Sequence, residues 1–346
     1  MDMPISRSGA EQEKRIDIEA VAGSIAATQL ESGEIPWTTG QKTDPWDHTE
    51  AAMGLTIGGH HFEARAAYRW LAAQQLEDGS WYTAYLNGEP IDKTRDSNLS
   101  AYIAVGVWHD YLATGDLGFL EKMWPAVSAA MEFVSGLQTP EGEIHWAINP
   151  AGEIDRMALL TGCSSIYMSL KCAIAVAGEL GRQRPAWRAS LELLGDAIRN
   201  KPHLFNMTKS RYSMDWYYPV LCGALTGDTA RKRIEQYWKK FVIEAHGVRC
   251  VSDEAWVTIA ETCELVLALA AIGNFEQGRI VFNWIADRCF EDGSYWCGFT
   301  CPELTVWPED QMSWTNAVAL MAADALYQLT PAATIFSHAY WRKLGF

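Results

Sequence analysis

Two kinds of helical segment alternate along the sequence, and this alternation constrains the fold more than any other feature. Amphipathic, charge-bearing segments begin near residues 11, 60, 117, 184, 229 and 274, and a more apolar segment with small residues follows each one. Apolar positions in both kinds recur at helical spacing, whereas strand-like alternation is scarce. Because a helix with a polar face lies at a surface and an apolar helix lies inside, the sequence predicts an all-α protein. We expect six hairpins closed into an (α/α)6 toroid, as one domain over residues 1–346.

The connections between these helices differ in length. Those that follow the inner segments are short, for example ATGDLG and LTGDTA. Those that precede the inner segments are long and carry Trp, Tyr, Asp and Gly, as in EDGSWYTAYLNGEPIDKTRDS. All the long connections therefore meet at one end of the toroid, which is where we expect a ligand to bind.

Composition excludes several classes of function. A formal net charge of −15 argues against nucleic acid and against anionic membrane surfaces, because both require basic patches. No apolar run approaches the roughly 20 residues of a membrane helix, and the N-terminus lacks the apolar segment of a secretory signal, so a cytoplasmic location is expected. The eight cysteines lie mostly in apolar helical contexts, typical of reduced core thiols. No metal or cofactor motif is present, and a homodimer is left open.

Acidic residues recur at the starts of the inner segments. The stretch TDPWDHTEAAMG contains Asp44, Asp47 and Glu50 close to two aromatic side chains, while Asp96 and Asp215 begin later inner segments. Each of these acids has two interpretations. It caps a helix and complements the helix dipole, or it binds a polar substrate.

Glu261 differs from the other acids because its flanks are apolar. It follows the expected cap at Ser252 or Asp253 by several residues, so we expect it to lie inside the helix. A carboxylate on the inward face of an apolar helix must be paired, solvated in a cavity or protonated. Glu264, one turn further on, is the competing candidate.

Two carboxylates in an aromatic cup suit the hydrolysis of a glycosidic bond, which needs one acid to protonate the leaving oxygen and one to activate water or attack carbon. Asp47 and Glu261 are the predicted catalytic pair, and rings in the long connections are predicted to stack on sugars. The predicted substrate-binding residues are Asp44, Trp46, Glu50, Trp81, Asp96, Asp215, Trp216, Tyr217, Trp256, Trp296 and Trp314, with Trp146 as a further ring.

Parts of the chain resemble known families. QQLEDGSW matches the Q-x-x-x-G-x-W repeat of squalene–hopene cyclases and prenyltransferase-type toroids, but the D-x-D-D acid cluster and the zinc ligands of those enzymes have no counterpart. The segment Leu99–Val134 is similar to a hairpin of six-hairpin glycosidases such as glucoamylases.

Along its whole length, including TDPWDHTEAAMGL and DEAWVTIAETCEL, the chain resembles the methylmannose-polysaccharide hydrolases of mycobacteria. This resemblance implies a cytoplasmic, endo-acting α-mannanase that cuts α-1,4 bonds of a partly O-methylated polysaccharide, with Asp47 and Glu261 as its catalytic pair. We expect Glu261 to be the general acid and Asp47 the base of an inverting reaction, although the roles can be exchanged. A glucoamylase-like glycosidase, a terpene cyclase or prenyltransferase toroid, and a non-catalytic glycan-binding toroid remain alternatives.

Overall fold

A computed structural model describes residues 16–346 of the chain. Within these residues, six helices form an inner ring and six lie outside it. The inner helices are α2 (Pro45–Ile57), α5 (Ile103–Thr114), α7 (Leu160–Glu179), α9 (Met214–Leu221), α11 (Ile259–Ala271) and α13 (Ser313–Tyr327). The outer helices are α1 (Ile18–Thr28), α3 (His61–Ala73), α6 (Leu117–Gly136), α8 (Pro185–Asn200), α10 (Gly227–Phe241) and α12 (Phe275–Ile285). Two short helices, α4 (Ser97–Ala101) and α14 (His338–Lys343), complete the set.

The inner helices form a closed ring. Each one packs against the next in the order α2, α5, α7, α9, α11 and α13, and α13 packs back against α2. Each outer helix packs mainly on one inner helix: α3 on α2, α6 on α5, α8 on α7, α10 on α9, α12 on α11 and α1 on α13. This arrangement confirms the predicted (α/α)6 toroid.

Side-chain size and polarity explain the two layers. The outer helix α10 buries only Ala230, Ile234 and Phe241, whereas every residue of the inner helix α13 except Trp314 and Tyr327 is buried. Small residues bring the inner helices close together. Two of them meet at Gly54 of α2, where an added Cβ would lie 2.8 Å from the Cα of Ala317 in α13.

Five of the predicted outer-helix starts agree with the structure to within two residues, because hydrophobic periodicity is a local signal. The predicted start near residue 11 lies outside the described residues, and α1 begins at Ile18. The five agreeing helices begin at His61, Leu117, Pro185, Gly227 and Phe275.

Nine short strands, none longer than four residues, lie in the connections that precede the inner helices. They form antiparallel sheets in the orders β1-β2, β3-β4-β5 and β6-β7-β8-β9. Strands this short are not detectable from the alternation of apolar residues. They are β1 (Ala84–Leu86), β2 (Glu89–Asp92), β3 (Arg95–Asp96), β4 (Ala147–Ile148), β5 (Ile154–Asp155), β6 (Val242–Ile243), β7 (Gly247–Arg249), β8 (Trp256–Thr258) and β9 (Gly298–Thr300).

Two details of the sequence analysis need correction. The helix that carries Glu261 has its N-cap at Thr258, not at Ser252 or Asp253, because the chain first forms strand β8. In addition, α7 is long and apolar enough, by length and composition, to cross a membrane, and 67% of that stretch is buried among the other helices.

Candidate active site

A cavity of about 340 Å³ lies where the N-terminal ends of the inner helices meet. Its walls come from the first turns of α2, α4, α9, α11 and α13, together with two loop residues. These helices start at the end of the toroid that carries the long connections. The cavity therefore lies at the end where the sequence predicts that a ligand binds. The lining residues are Lys42, Asp44, Trp46, Asp47, Glu50, Thr83, Leu99, Met214, Ala260, Glu261, Glu264, Trp314 and Val318.

Asp44 organises the start of α2. Its Oδ1 accepts hydrogen bonds from the backbone N–H groups of Trp46 and Asp47, each at 2.9 Å, and its Oδ2 accepts one from the indole of Trp37 at 2.7 Å. Pro45 occupies the first helical position, where no backbone donor is needed. Asp44 is therefore the helix cap, and this cap holds Asp47 in place at the cavity wall.

Asp47 lies within a group of acids. Its pKa is raised well above the ordinary carboxyl value, first by burial and then by the charges of Asp44 and Glu50. A side-chain hydrogen bond between Asp47 and Asp44 favours the protonated form as well. Because neighbouring carboxyl groups cannot all ionise, the protonated form of Asp47 is favoured over that of an isolated aspartate.

Glu50, about one turn after Asp47 on α2, is also buried. Its Oε1 accepts hydrogen bonds from the indole N–H of Trp46 at 2.7 Å and from the hydroxyl of Tyr102 at 3.2 Å. The rings of Trp46 and Tyr102 stack, with centroids 5.0 Å apart. Burial raises the pKa of Glu50 to about 8, although these two hydrogen bonds oppose the rise. At neutral pH this side chain is mostly an uncharged part of the wall.

The structure distinguishes Glu261 from Glu264. Both oxygens of Glu264 accept hydrogen bonds, from the hydroxyls of Tyr217 and Tyr218 on α9. Burial raises the pKa of Glu264 well above its ordinary value. In contrast, Oε2 of Glu261 is buried without a hydrogen-bond partner in residues 16–346. Glu264 is thus a bonded part of the cavity floor, and Glu261 is the carboxyl group with an acceptor left for a ligand or water.

A second cavity, of about 210 Å³, adjoins the first and shares Trp46, Leu99 and Met214 with it. Asp96 lies here as the N-cap of α4, accepting hydrogen bonds from the backbone N–H of Asn98 at 2.7 Å and of Leu99 at 3.0 Å. Burial raises the pKa of Asp96 to about 6. Trp146 also lines this cavity. The two cavities together extend the site well beyond the size of one sugar ring.

Two of the predicted tryptophans, Trp46 and Trp314, line the first cavity. Trp314 Nε1 is buried and makes no hydrogen bond within the part of the chain that the structure describes. Trp314 and Glu261 therefore each carry one polar atom that no described residue pairs, and both side chains line the same cavity.

Other predicted rings lie away from the cavity. Trp81 is only 1% exposed and donates to the backbone oxygen of Leu71 at 2.7 Å. Trp216 is 2% exposed and stacks on Phe241, with centroids 5.3 Å apart. Both tryptophans are core residues, because both ring faces are covered by protein. Their prediction as sugar-binding platforms does not agree with these positions.

The remaining predicted residues take other positions. Neither Trp256 nor Trp296 lines the two cavities. Trp256 donates a hydrogen bond to the backbone oxygen of Trp307, and Trp296 packs edge-on against Phe299. Asp215 accepts hydrogen bonds from the backbone and the hydroxyl of Thr161, at 3.2 and 2.6 Å, and faces a separate cavity of about 190 Å³. Tyr217 is fully buried and lines neither cavity; its hydroxyl donates a hydrogen bond to Glu264.

The sequence analysis missed several residues of the site. Tyr102 and Tyr218 hold the buried acids, and their only signal in the sequence is a hydroxyl within an apolar inner helix. The remaining missed residues lie close to helix starts or in the long connections. Their positions in the sequence could have indicated them, but their side-chain types could not. They are Lys42, Thr83, Leu99, Met214, Ala260 and Val318.

The site offers acid–base chemistry. It combines a carboxyl group of raised pKa on α2, a carboxyl group with an unpaired oxygen on α11, and indole rings that line the same cavity. Among residues 16–346, no group of three or more His, Cys, Asp or Glu side chains is arranged to hold a metal ion. The eight cysteines are unpaired, and five of them are buried.

Comparison with solved structures supports the fold. The chain aligns with a glycosidase in complex with glucose at a TM-score of 0.68 and 15% identity, over 91% of this chain and 98% of that one. A D-mannose isomerase aligns at a TM-score of 0.68 and 11% identity, over 90% and 95% of the two chains. At such identities the likeness shows the (α/α)6 fold alone.

Comparison of sequences shows the family. No family model matches the chain. An MMP endo-(1,4)-3-O-methyl-alpha-D-mannosidase of Mycolicibacterium hassiacum is 49% identical over 315 residues, which are 91% of this chain and 87% of that protein. With this identity over nearly the whole length, the chain belongs to the family of that mannosidase and is a glycoside hydrolase.

Proposed function

We propose that this enzyme cleaves α-1,4 bonds inside methylmannose polysaccharide by a two-carboxylate mechanism. The observation that carries the proposal is that Asp47 on α2 and Glu261 on α11 line one cavity, although they are distant in sequence. The relative from Mycolicibacterium hassiacum, which is named for this activity, supports the choice of substrate.

The shape of the site supports internal cleavage. Because the second cavity shares Trp46, Leu99 and Met214 with the first, a chain bound beside Asp47 can continue past Trp46. The second cavity is lined largely by apolar side chains, including Ile144 and Leu159. An O-methyl group presents apolar surface that such walls favour over a free hydroxyl, which would lose hydrogen bonds to water there.

We assign the proton donor to Asp47 and the base to Glu261, which exchanges the roles expected from the sequence. Burial and the neighbouring acids raise the pKa of Asp47 and favour its protonated form, which is the form that a general acid requires. The unpaired Oε2 of Glu261 can accept a hydrogen bond from the attacking water. A carboxylate that activates water, instead of attacking carbon itself, gives inversion at the anomeric carbon.

The first experiment compares wild type with Asp47→Asn and Glu261→Gln on a panel of α-glucans, α-mannans and methylated mannans, with products followed by mass. We expect internal fragments from methylated mannan alone. Each substitution should lower the rate by roughly 100- to 10,000-fold, the usual range for a general acid or base. Glu254→Gln, at an exposed loop acid, is the matched control and should retain full activity. A variant at Asp47 or Glu261 that keeps more than a tenth of the rate would contradict the assignment.

A second experiment separates the two roles. An α-oligomannosyl fluoride needs no protonation of its leaving group, so it should restore turnover by Asp47→Asn but not by Glu261→Gln. Azide should restore Glu261→Gln by replacing the activated water. The opposite pattern would assign the donor to Glu261, and recovery of neither variant would show that the two carboxyls act in another way.

A further inference from the structure

A basic cavity of about 330 Å³ lies at the other end of α9 from the active site. Met214, at the start of α9, lines the active site, while Gly223, just after the end of α9, lines the basic cavity. The eight residues of α9 span roughly 12 Å between these two ends. The lining residues are Tyr167, Lys171, Arg199, Gly223, Ala224, Thr226, His338, Trp341, Arg342 and Phe346.

Lys171 is the unusual member of this cavity. Its side chain is only 3% exposed, in the middle of the inner helix α7. In the described residues its ammonium group makes no hydrogen bond or ion pair, and it faces the rings of Trp341 at 4.7 Å and Tyr167 at 5.5 Å. Gly223 leaves room for the ammonium group, since a Cβ there would lie 3.1 Å from Nζ. A buried cation without an anionic partner costs folding free energy.

The other charged side chains that line the cavity are also cationic. Arg199 and Arg342 are exposed at its edge, and neither forms an ion pair among residues 16–346. Its lining includes no aspartate or glutamate side chain. In a chain with a net charge of −15, three cationic side chains that converge without an acid require an explanation.

His338 adds no charge to the cavity. Its Nε2 lies 2.7 Å from the backbone oxygen of Val220, so this nitrogen carries the proton and donates. Burial lowers the pKa of His338 to about 4, and the ring is neutral. The Arg199 guanidinium donates to the backbone oxygen of Ala224 at 3.2 Å, which leaves further N–H groups for a ligand.

We propose that this cavity binds a phosphate group, with Lys171 as the buried contact and with Arg199 and Arg342 at its mouth. Phosphate fits better than a carboxylate because its oxygens accept hydrogen bonds from several directions and its charge at neutral pH exceeds one. The hydroxyl of Thr226 can contribute a neutral donor. This site is separate from the proposed catalytic cavity and does not depend on its chemistry.

The test is isothermal titration calorimetry of the full chain in a chloride buffer, with inorganic phosphate, pyrophosphate and acetate as probes. Wild type should bind phosphate or pyrophosphate saturably. Lys171→Met and Arg342→Gln should each weaken that binding by about tenfold or more, which corresponds to about 1.4 kcal/mol. Lys343→Gln changes an exposed neighbour that does not line the cavity and should bind as wild type does.

Several results would overturn the proposal: no saturable binding of either phosphate probe by wild type, unchanged binding by both variants, or acetate binding as tightly as phosphate. If Lys171→Met does not fold, Arg342→Gln alone decides, since its position is exposed. Because the proposal also implies that the unpaired ammonium destabilises the free protein, a folded Lys171→Met should have a higher melting temperature than wild type without phosphate.

Discussion

Replacing Glu50 by Gln should stabilise the enzyme at alkaline pH, although Glu50 lies at the active site. Glu50 is buried, and its Oε1 accepts both of its hydrogen bonds, from Trp46 and Tyr102. The amide oxygen of Gln can accept the same two bonds. The substitution therefore keeps the shape of the wall and removes one titrating group.

The size of the effect follows from the pKa of about 8, against an ordinary value of 4.5. Between these values the unfolded chain releases the proton of Glu50 while the folded chain keeps it, so the stability of wild type falls as the pH rises. The loss is about 1.4 kcal/mol per pH unit, hence about 5 kcal/mol over the whole window. Glu50→Gln lacks this loss. Its advantage should grow from below about 1 kcal/mol at pH 5 to several kcal/mol at pH 8.

The assay is urea unfolding of wild type and Glu50→Gln at pH 5, 6, 7 and 8. Subtracting the free energies of unfolding at each pH cancels the acids that do not interact with Glu50; the charge of Glu50 acts on Asp47 and Glu264, so these two do not cancel fully. Glu254→Gln removes an exposed carboxyl and should follow the wild-type curve. A difference between Glu50→Gln and wild type that stays constant with pH would refute the reasoning, because Glu50 would then be ionised in both states.

Three further substitutions test the packing and the floor of the site. Gly54→Ala should cost about 1–3 kcal/mol of stability, since its Cβ would meet Ala317 in α13; unchanged unfolding would mean that this contact gives way. Trp81→Phe should lower stability by about 1–3 kcal/mol through its lost bond to Leu71, with KM unchanged; a raised KM would place Trp81 at the substrate. Tyr217→Phe removes a donor from Glu264 and should lower the urea midpoint at pH 8, which an unaltered midpoint would contradict.

Local patterns predicted the helices well. The helix starts at Leu117 and Pro185 follow from apolar spacing and from helix-start residues, which depend on near neighbours in the chain. The position of Asp47 also follows from local sequence, because Asp44 and Pro45 form the helix start beside it. The cap of the helix that carries Glu261 does not follow from local sequence, because the preceding strand β8 pairs with β9, about 40 residues further along the chain.

Long-range contacts decided the rest. Glu261 and Glu264 lie one turn apart in an apolar helix, and the sequence left both as candidates. The two tyrosine hydroxyls of α9 donate to both oxygens of Glu264, whereas Oε2 of Glu261 has no partner among the described residues. In the same way both Trp81, in a long connection, and Trp314, in the first turn of α13, are predicted to bind sugar, yet of the two only Trp314 lines the cavity.

The sequence by itself determined the order of the inner and outer helices, the end of the toroid that carries the long connections, and the acids that start the inner helices. These features depend on spacing within a few turns of one chain segment. Only the tertiary structure decided which acids share protons, which keep a free oxygen and which rings face open space. Those properties depend on how water is excluded and on which donors arrive from other helices, and such contacts exist only once the ring has closed.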